Sequence, residues 1–259
     1  MTGYEGPSKQ LDGRAPRRAC ILGFHRIVGS RQVDHDVSWK SFRGLVEELG
    51  HSPTAVSIAL DAEPVEPTVI LTFDDATADH LKVARFLAQL RMPGIFFVPA
   101  GKLGRGGYLS RGDLKELVAM GHVVGSHAFS HVPLDSVEPK QLPRELLGSK
   151  EALEDIVDAP VRWFAPPGGV TPRGLPTELE KAGYRLSRSM IWGIRGPDAD
   201  RWRLPCVPVT DFTLRAGWVK HALRSFELPV AMKLAWRVKE LLPTPIALRA
   251  RKLMHRRGS

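Results

Sequence analysis

Thr68-Val69-Ile70-Leu71-Thr72-Phe73-Asp74-Asp75 is the stretch from which the rest of the chain can be organised. Its first six residues are β-branched or apolar on both faces, which fits a parallel strand covered on both sides rather than an edge with one wet face. Two adjacent carboxylates follow at the C-terminal end of that strand. In parallel α/β proteins the loops converge at this end and gather the catalytic groups. Neighbouring carboxylates repel each other, so a cation or compensating donors must lie close if both are ionised. Taken alone, the plainer reading of Asp75, a cap on the next helix, would prevail.

Downstream, Val83, Phe86, Leu87 and Leu90 fall at i, i+3, i+4, i+7 and predict one apolar helix face. Pro93-Gly94 stops that helix, and Ile95-Phe96-Phe97-Val98 is the next strand. Ser110 with Asp113 three residues later is a capping-box variant that opens a helix through Leu114, Leu117 and Val118. Gly121 closes it, and Val123-Val124-Gly125 returns as a strand. The pattern then predicts a helix over 142–157, a strand over 161–164, a helix over 175–182 ended by Gly183, and a strand over 184–186. Repeated βα units imply a parallel sheet with helices outside it, either a barrel or an open doubly wound sheet.

Two more strand ends carry chemistry. His127-Ala128-Phe129-Ser130-His131 follows a strand, and histidines four apart can present both imidazoles to one metal. Such a pair is more often coincidence than a metal site. Beside an acidic dyad at an equivalent strand end, the balance turns toward a metal. Two imidazoles and one carboxylate leave a coordination position open, as catalytic zinc requires. Phe164-Ala165-Pro166-Pro167-Gly168-Gly169 is the third site. Read plainly it is a Pro/Gly loop; functionally it could hold a backbone N–H near Gly168 against a substrate oxygen.

The ordered set of TFDD, HxxxH and a Pro-Pro-Gly loop resembles the polysaccharide-deacetylase (NodB-homology, carbohydrate esterase family 4) domain over roughly residues 20–211. The resemblance implies an α/β fold, a deformed (β/α) barrel of the NodB-homology type. It also implies Asp74 as general base, with Asp75, His127 and His131 holding zinc or another divalent transition metal. Three positions depart from the family pattern. Ala128 replaces a usual Ser or Thr, Ala165 replaces an arginine that steadies the base, and Leu204-Pro205-Cys206-Val207 stands where a Leu-x-His motif supplies the acid. Ile21-Leu22-Gly23-Phe24-His25-Arg26-Ile27 is similar to the first strand of permuted members such as those acting on poly-N-acetylglucosamine. In that subgroup His25 would be the general acid; otherwise it is a hydrogen-bonded core histidine. Trp192 is a candidate wall of the acyl pocket or a plain core aromatic.

The implied reaction removes an N-acyl group, N-acetyl in the simplest case, from an amino sugar in a glycan or glycan precursor. Two rivals remain open. One is a catalytically silent relative that binds glycan, and the other is an amidohydrolase of the same mechanism acting on a non-sugar amide.

The chain has 259 residues, 43% hydrophobic and 25% charged, enough for one large core. Cys20 and Cys206 make no disulfide framework and read as buried thiols in a reducing compartment. Residues 1–19 hold no apolar run and are expected to be a flexible tail, neither secretory signal nor membrane anchor, with a cytoplasmic location. The catalytic domain is expected over 20–213. Residues 214–259 are expected to form a basic, helical C-terminal extension, and their eleven Lys/Arg against two Glu carry the whole net charge of +9. A neutral body with one basic tail argues against nucleic-acid binding. Within the extension Leu223, Phe226, Val230, Leu234, Val238 and Leu241 trace an apolar stripe that Pro229 should kink. Helices packed on the barrel, or peripheral contact with an anionic inner-membrane face, both fit that pattern.

Overall fold

The computed structural model describes residues 18–29, 33–51, 55–56 and 67–241. Nearly all of the expected N-terminal tail and the basic end after Leu241 lie outside the described residues. The strands are β1 (Ala19–Phe24), β2 (Ile27–Val28), β3 (Val37–Ser38), β4 (Ala55–Val56), β5 (Thr68–Phe73), β6 (Gly94–Val98), β7 (Val123–Ser126), β8 (Trp163–Phe164), β9 (Leu186–Trp192) and β10 (Leu204–Pro208). The helices are α1 (Trp39–Gly50), α2 (His80–Gln89), α3 (Arg111–Ala119), α4 (Ser149–Val157), α5 (Leu175–Lys181), α6 (Asp211–Arg215), α7 (Trp218–Ser225) and α8 (Val230–Leu241).

Seven parallel strands run in the order β1-β10-β9-β8-β7-β6-β5, and β5 pairs back to β1 in register from Ala19↔Thr68 to Phe24↔Phe73. The sheet is therefore a closed barrel with helices outside, the expected deformed (β/α) barrel. Side chains alternate across it. Ile21, Ile70, Ile95, Phe97, Trp163 and Leu186 fill the interior. Leu22, Phe24, Leu71, Phe73, Phe96 and Val98 face outward, into a larger core shared with the helices. Gly125 is required by that packing: a Cβ there would meet Phe97 Cδ1 at 2.6 Å.

The local signals hold where caps and periodicity agree. Ser110 and Asp113 form the reciprocal capping box of α3, and Gly121 closes the turn after it with φ 87°. Differences arise where tertiary contacts decide. The helix expected over 142–157 contains a π-helical turn, Arg144–Gly148, before α4. The strand expected over 161–164 is shorter, and that expected over 184–186 instead runs Leu186–Trp192. The Leu204 segment, read only as lacking a histidine, is strand β10.

Pro229 does separate two helices, α7 and α8. The apolar stripe is divided: Leu223 and Phe226 pack against the outer core, whereas Val230 and Leu234 are 71% and 56% exposed. Met232 takes the buried place on α8.

Candidate active site

Alternation along the barrel strands brings the polar residues together. On β1 the inward series Ala19, Ile21, Gly23 projects to His25, and on β5 Ile70 and Thr72 project to Asp74. Phe97 pairs with Gly125, which puts His127 next on the same inner face of β7. One period-two rule thus delivers His25, Asp74 and His127 to the C-terminal mouth of the barrel.

Asp75 Oδ1 lies 2.8 Å from His131 Nε2 and 3.4 Å from His127 Nε2. One ligand atom from each of the three residues falls within 4.8 Å of the others. Metal–ligand bonds of ~2.0–2.2 Å in a tetrahedron give ligand separations of about 3.4 Å, so this donor set fits a zinc-sized cation. His127 is oriented for that role. Its Nδ1 donates to the Ala165 carbonyl at 2.6 Å, so Nε2, which faces Asp75, is the nitrogen that would turn its lone pair to a metal. The carbonyl serves this purpose whatever the side chain, so alanine at position 165 costs the histidine nothing.

The backbone around the cluster is strained. Of seven non-glycine residues with positive φ among the described residues, four border it: Asp75, Ala76, Ala128 and His131. Such conformations persist only where surrounding contacts enforce them. Here the buried carboxylate of Glu145, on the π-helical turn, supplies the contacts. Its Oε2 accepts from Phe129 N at 3.0 Å and Ser130 N at 2.9 Å, closing the loop between the two histidines. Ser149 Oγ donates to the Ala128 carbonyl at 2.8 Å from below.

Asp74 is 2% exposed and is held by Arg188, whose Nη2 donates to Oδ1. Arg188 is itself 1% exposed, with its guanidinium 5.1 Å from the Phe97 ring centroid. Burial alone would push the Asp74 carboxyl up. The charge of Arg188, followed by those of His127 and His25, outweighs burial and holds it below the ordinary carboxylate range. For Asp75 burial is likewise outweighed, by hydrogen bonds from His127 and His131, and its pKa is lowered.

Arg188 is the residue that sequence reasoning missed. It supplies from β9 the cation absent at Ala165. The available signal was alternation: Leu186, Arg188 and Met190 share one face of a buried strand, and an arginine there demands a carboxylate. Ending the strand at 186 concealed it.

His25 Nε2 stands 3.9 Å from Asp74 Oδ2, and the His35 ring backs it at 5.2 Å between centroids. Gly168 adopts φ 68° with open space where a Cβ would project, on the loop that starts at Ala165. Trp192 is not brought to this site. Its ring packs, partly buried, against the outer core. It lines a groove with Arg18, Phe226 and Leu228 instead of an acyl pocket.

Comparison with known proteins covers the segment that holds Asp74, Asp75, His127 and His131. The polysaccharide deacetylase family model matches residues 61–187, from the segment before β5 through the start of β9. Residues 61–187 belong to the polysaccharide deacetylase family. Within the family, YxkH of Bacillus subtilis, named provisionally as a polysaccharide deacetylase, is 23% identical across 75% of this chain and 72% of its own length. The peptidoglycan-N-acetylmuramic acid deacetylase PdaA of Bacillus subtilis is 27% identical across 73% of this chain and 65% of its own length. In fold, the deacetylase barrel superposes on IcaB from Ammonifex degensii with a TM-score of 0.68 at 23% identity, over 77% of this chain and 94% of that one.

Proposed function

We propose that this chain is a metal-dependent carbohydrate N-deacetylase that removes an N-acyl group, N-acetyl in the simplest case, from an amino sugar in a glycan or glycan precursor. The observation that carries this reading is the placement of Asp74. It is buried, kept anionic by Arg188, and set between the Asp75–His127–His131 cluster and His25. Zinc, or another divalent transition metal, held by Asp75, His127 and His131 would polarise the acyl carbonyl and lower the pKa of water toward ~7.

The chain's own residues then divide the proton work. Arg188 engages Oδ1 of Asp74, which leaves Oδ2 to take the proton of the attacking water as general base. His25 Nε2, on the far side of Oδ2, gives a proton to the leaving amine. At 3.9 Å the two atoms are beyond hydrogen-bond reach, so neither is tied up by the other. A backbone N–H near Gly168 is the candidate donor to the developing oxyanion. A silent, glycan-binding relative would have no use for a buried Arg188–Asp74 pair, since desolvating two charges is costly.

The test is amine release from N-acetylated and N-formylated sugars, free, lipid-linked and polymeric, after chelation and zinc return. Asp75→Ala, His127→Ala and His131→Ala should each lose zinc and activity together. Asp74→Asn should keep zinc and lose roughly 10²–10⁴-fold in turnover. Near-normal turnover by zinc-loaded Asp74→Asn would refute the base assignment.

We also propose peripheral contact with an anionic inner-membrane surface. Exposed Val230 and Leu234 lie beside exposed Lys233 and Arg237 on α8, and the basic C-terminal sequence follows. No helix among the described residues is long and apolar enough to cross a membrane.

A further inference from the structure

The turn that carries His25 is gripped by two residues with no part in the chemistry above, Asp79 and His80. The His80 side chain is fully buried, and its Nε2 donates to the His25 carbonyl at 2.6 Å. Asp79 Oδ2 accepts from Ile27 N at 2.7 Å. A third bond, from Asp74 N to the Phe24 carbonyl at 2.9 Å, completes the set. All three reach the turn from the short segment 74–80, which also supplies Asp74 and Asp75. The backbone on both sides of His25 is thereby fixed to the strand end that bears the base and a metal ligand.

We propose that Asp79 and His80 are positioning residues that set the His25 imidazole across from Asp74. Packing alone does not account for His80. Its ring sits edge-on to Phe73 and Phe96, with centroids 5.7 and 5.8 Å away, a site that suits phenylalanine. Its Nδ1 has no hydrogen-bond partner among the described residues, and a buried unmatched nitrogen costs stability that a phenyl ring avoids. What histidine adds is the Nε2–H donor on the His25 carbonyl. Asp79 likewise makes no side-chain cap bond to α2, although it stands at the head of that helix. Its carboxylate is directed across to Ile27 instead.

The kinetic consequence rests on the reading of His25 as the acid, so the experiment carries two readouts. The full chain, zinc-loaded, is compared with His80→Phe, His80→Gln, Asp79→Ala and His25→Ala. The first readout is the imidazole ¹H–¹³C NMR signal that His25→Ala removes. His80→Phe should shift or split that signal, and His80→Gln, whose amide N–H can reach the same carbonyl, should restore a single one. The second is turnover of an N-acetylated chitooligosaccharide against an activated aryl ester, whose leaving group needs no proton. His80→Phe should lose roughly 10- to 100-fold on the amide, the scale of a misplaced catalytic group, with the ester nearly unaffected. An unchanged His25 signal in both His80→Phe and Asp79→Ala overturns the proposal. So does an equal loss on amide and ester in those variants when His25→Ala itself is selective for the amide. If the signal moves but His25→Ala also loses both activities equally, the positioning stands and the acid role of His25 is what fails. Should His80→Phe not fold, Asp79→Ala carries the same comparison.

Discussion

Replacing Arg188 by leucine tests the core of the site more sharply than removing a metal ligand. Arg188 and Asp74 are 1% and 2% exposed, so neither charge has water to fall back on. Deleting one partner of a buried pair typically costs about 3–5 kcal/mol, because the remaining charge is left uncompensated. The sign with pH follows from the shift. In the native protein the Asp74 pKa is lowered, so its contribution to stability is present above the unfolded value of ~3.9 and is lost as pH falls through the folded value. Without Arg188, burial and the neighbouring Asp75 charge face only the histidines, and the folded pKa should rise above the unfolded one. The dependence then inverts: metal-free Arg188→Leu should gain stability as pH falls toward that of the unfolded carboxyl. Urea melts from pH 8 to pH 4.5 measure this directly. In zinc-loaded protein the acidic limb of kcat/KM should move toward neutral pH, since the base must be ionised to act. An Arg188→Leu protein with wild-type pH dependence in both assays would refute the assignment of Arg188 as the partner that keeps Asp74 anionic.

Other expectations follow from single contacts. Glu145→Ala frees two loop N–H groups between His127 and His131 and should weaken zinc affinity by roughly 10- to 100-fold, read by chelator competition. Gly169→Ala would place a Cβ 2.3 Å from Met190 Cβ at φ 73°, and should lower the melting temperature with at least the ~1–3 kcal/mol loss typical of overpacking. Sedimentation with vesicles tests the α8 surface: binding should need anionic lipid, weaken with salt and vanish on truncation after Pro243. Full-length protein that ignores anionic vesicles at low salt would end the membrane proposal.

The βα pattern left a barrel and an open sheet both possible, and the resemblance implied the barrel; the sequence by itself determined the β5 strand, the α3 capping box and the grouping of Asp75 with His127 and His131. Each of these is local: a run of apolar residues, a cap three residues long, or histidines four apart at a strand end. The placement of His25 beside Asp74 also follows from short signals, because alternation continues past β1 and β5 once the two strands pair. What only the tertiary structure decided is how distant strands share an interior. Arg188 lies 114 residues from Asp74, and nothing local pairs them; the barrel must close before β9 can aim a guanidinium at the end of β5. Trp192 was decided in the same way, since its place in the outer core, beside Arg18 and Phe226, is set by segments far along the chain and not by its own neighbours.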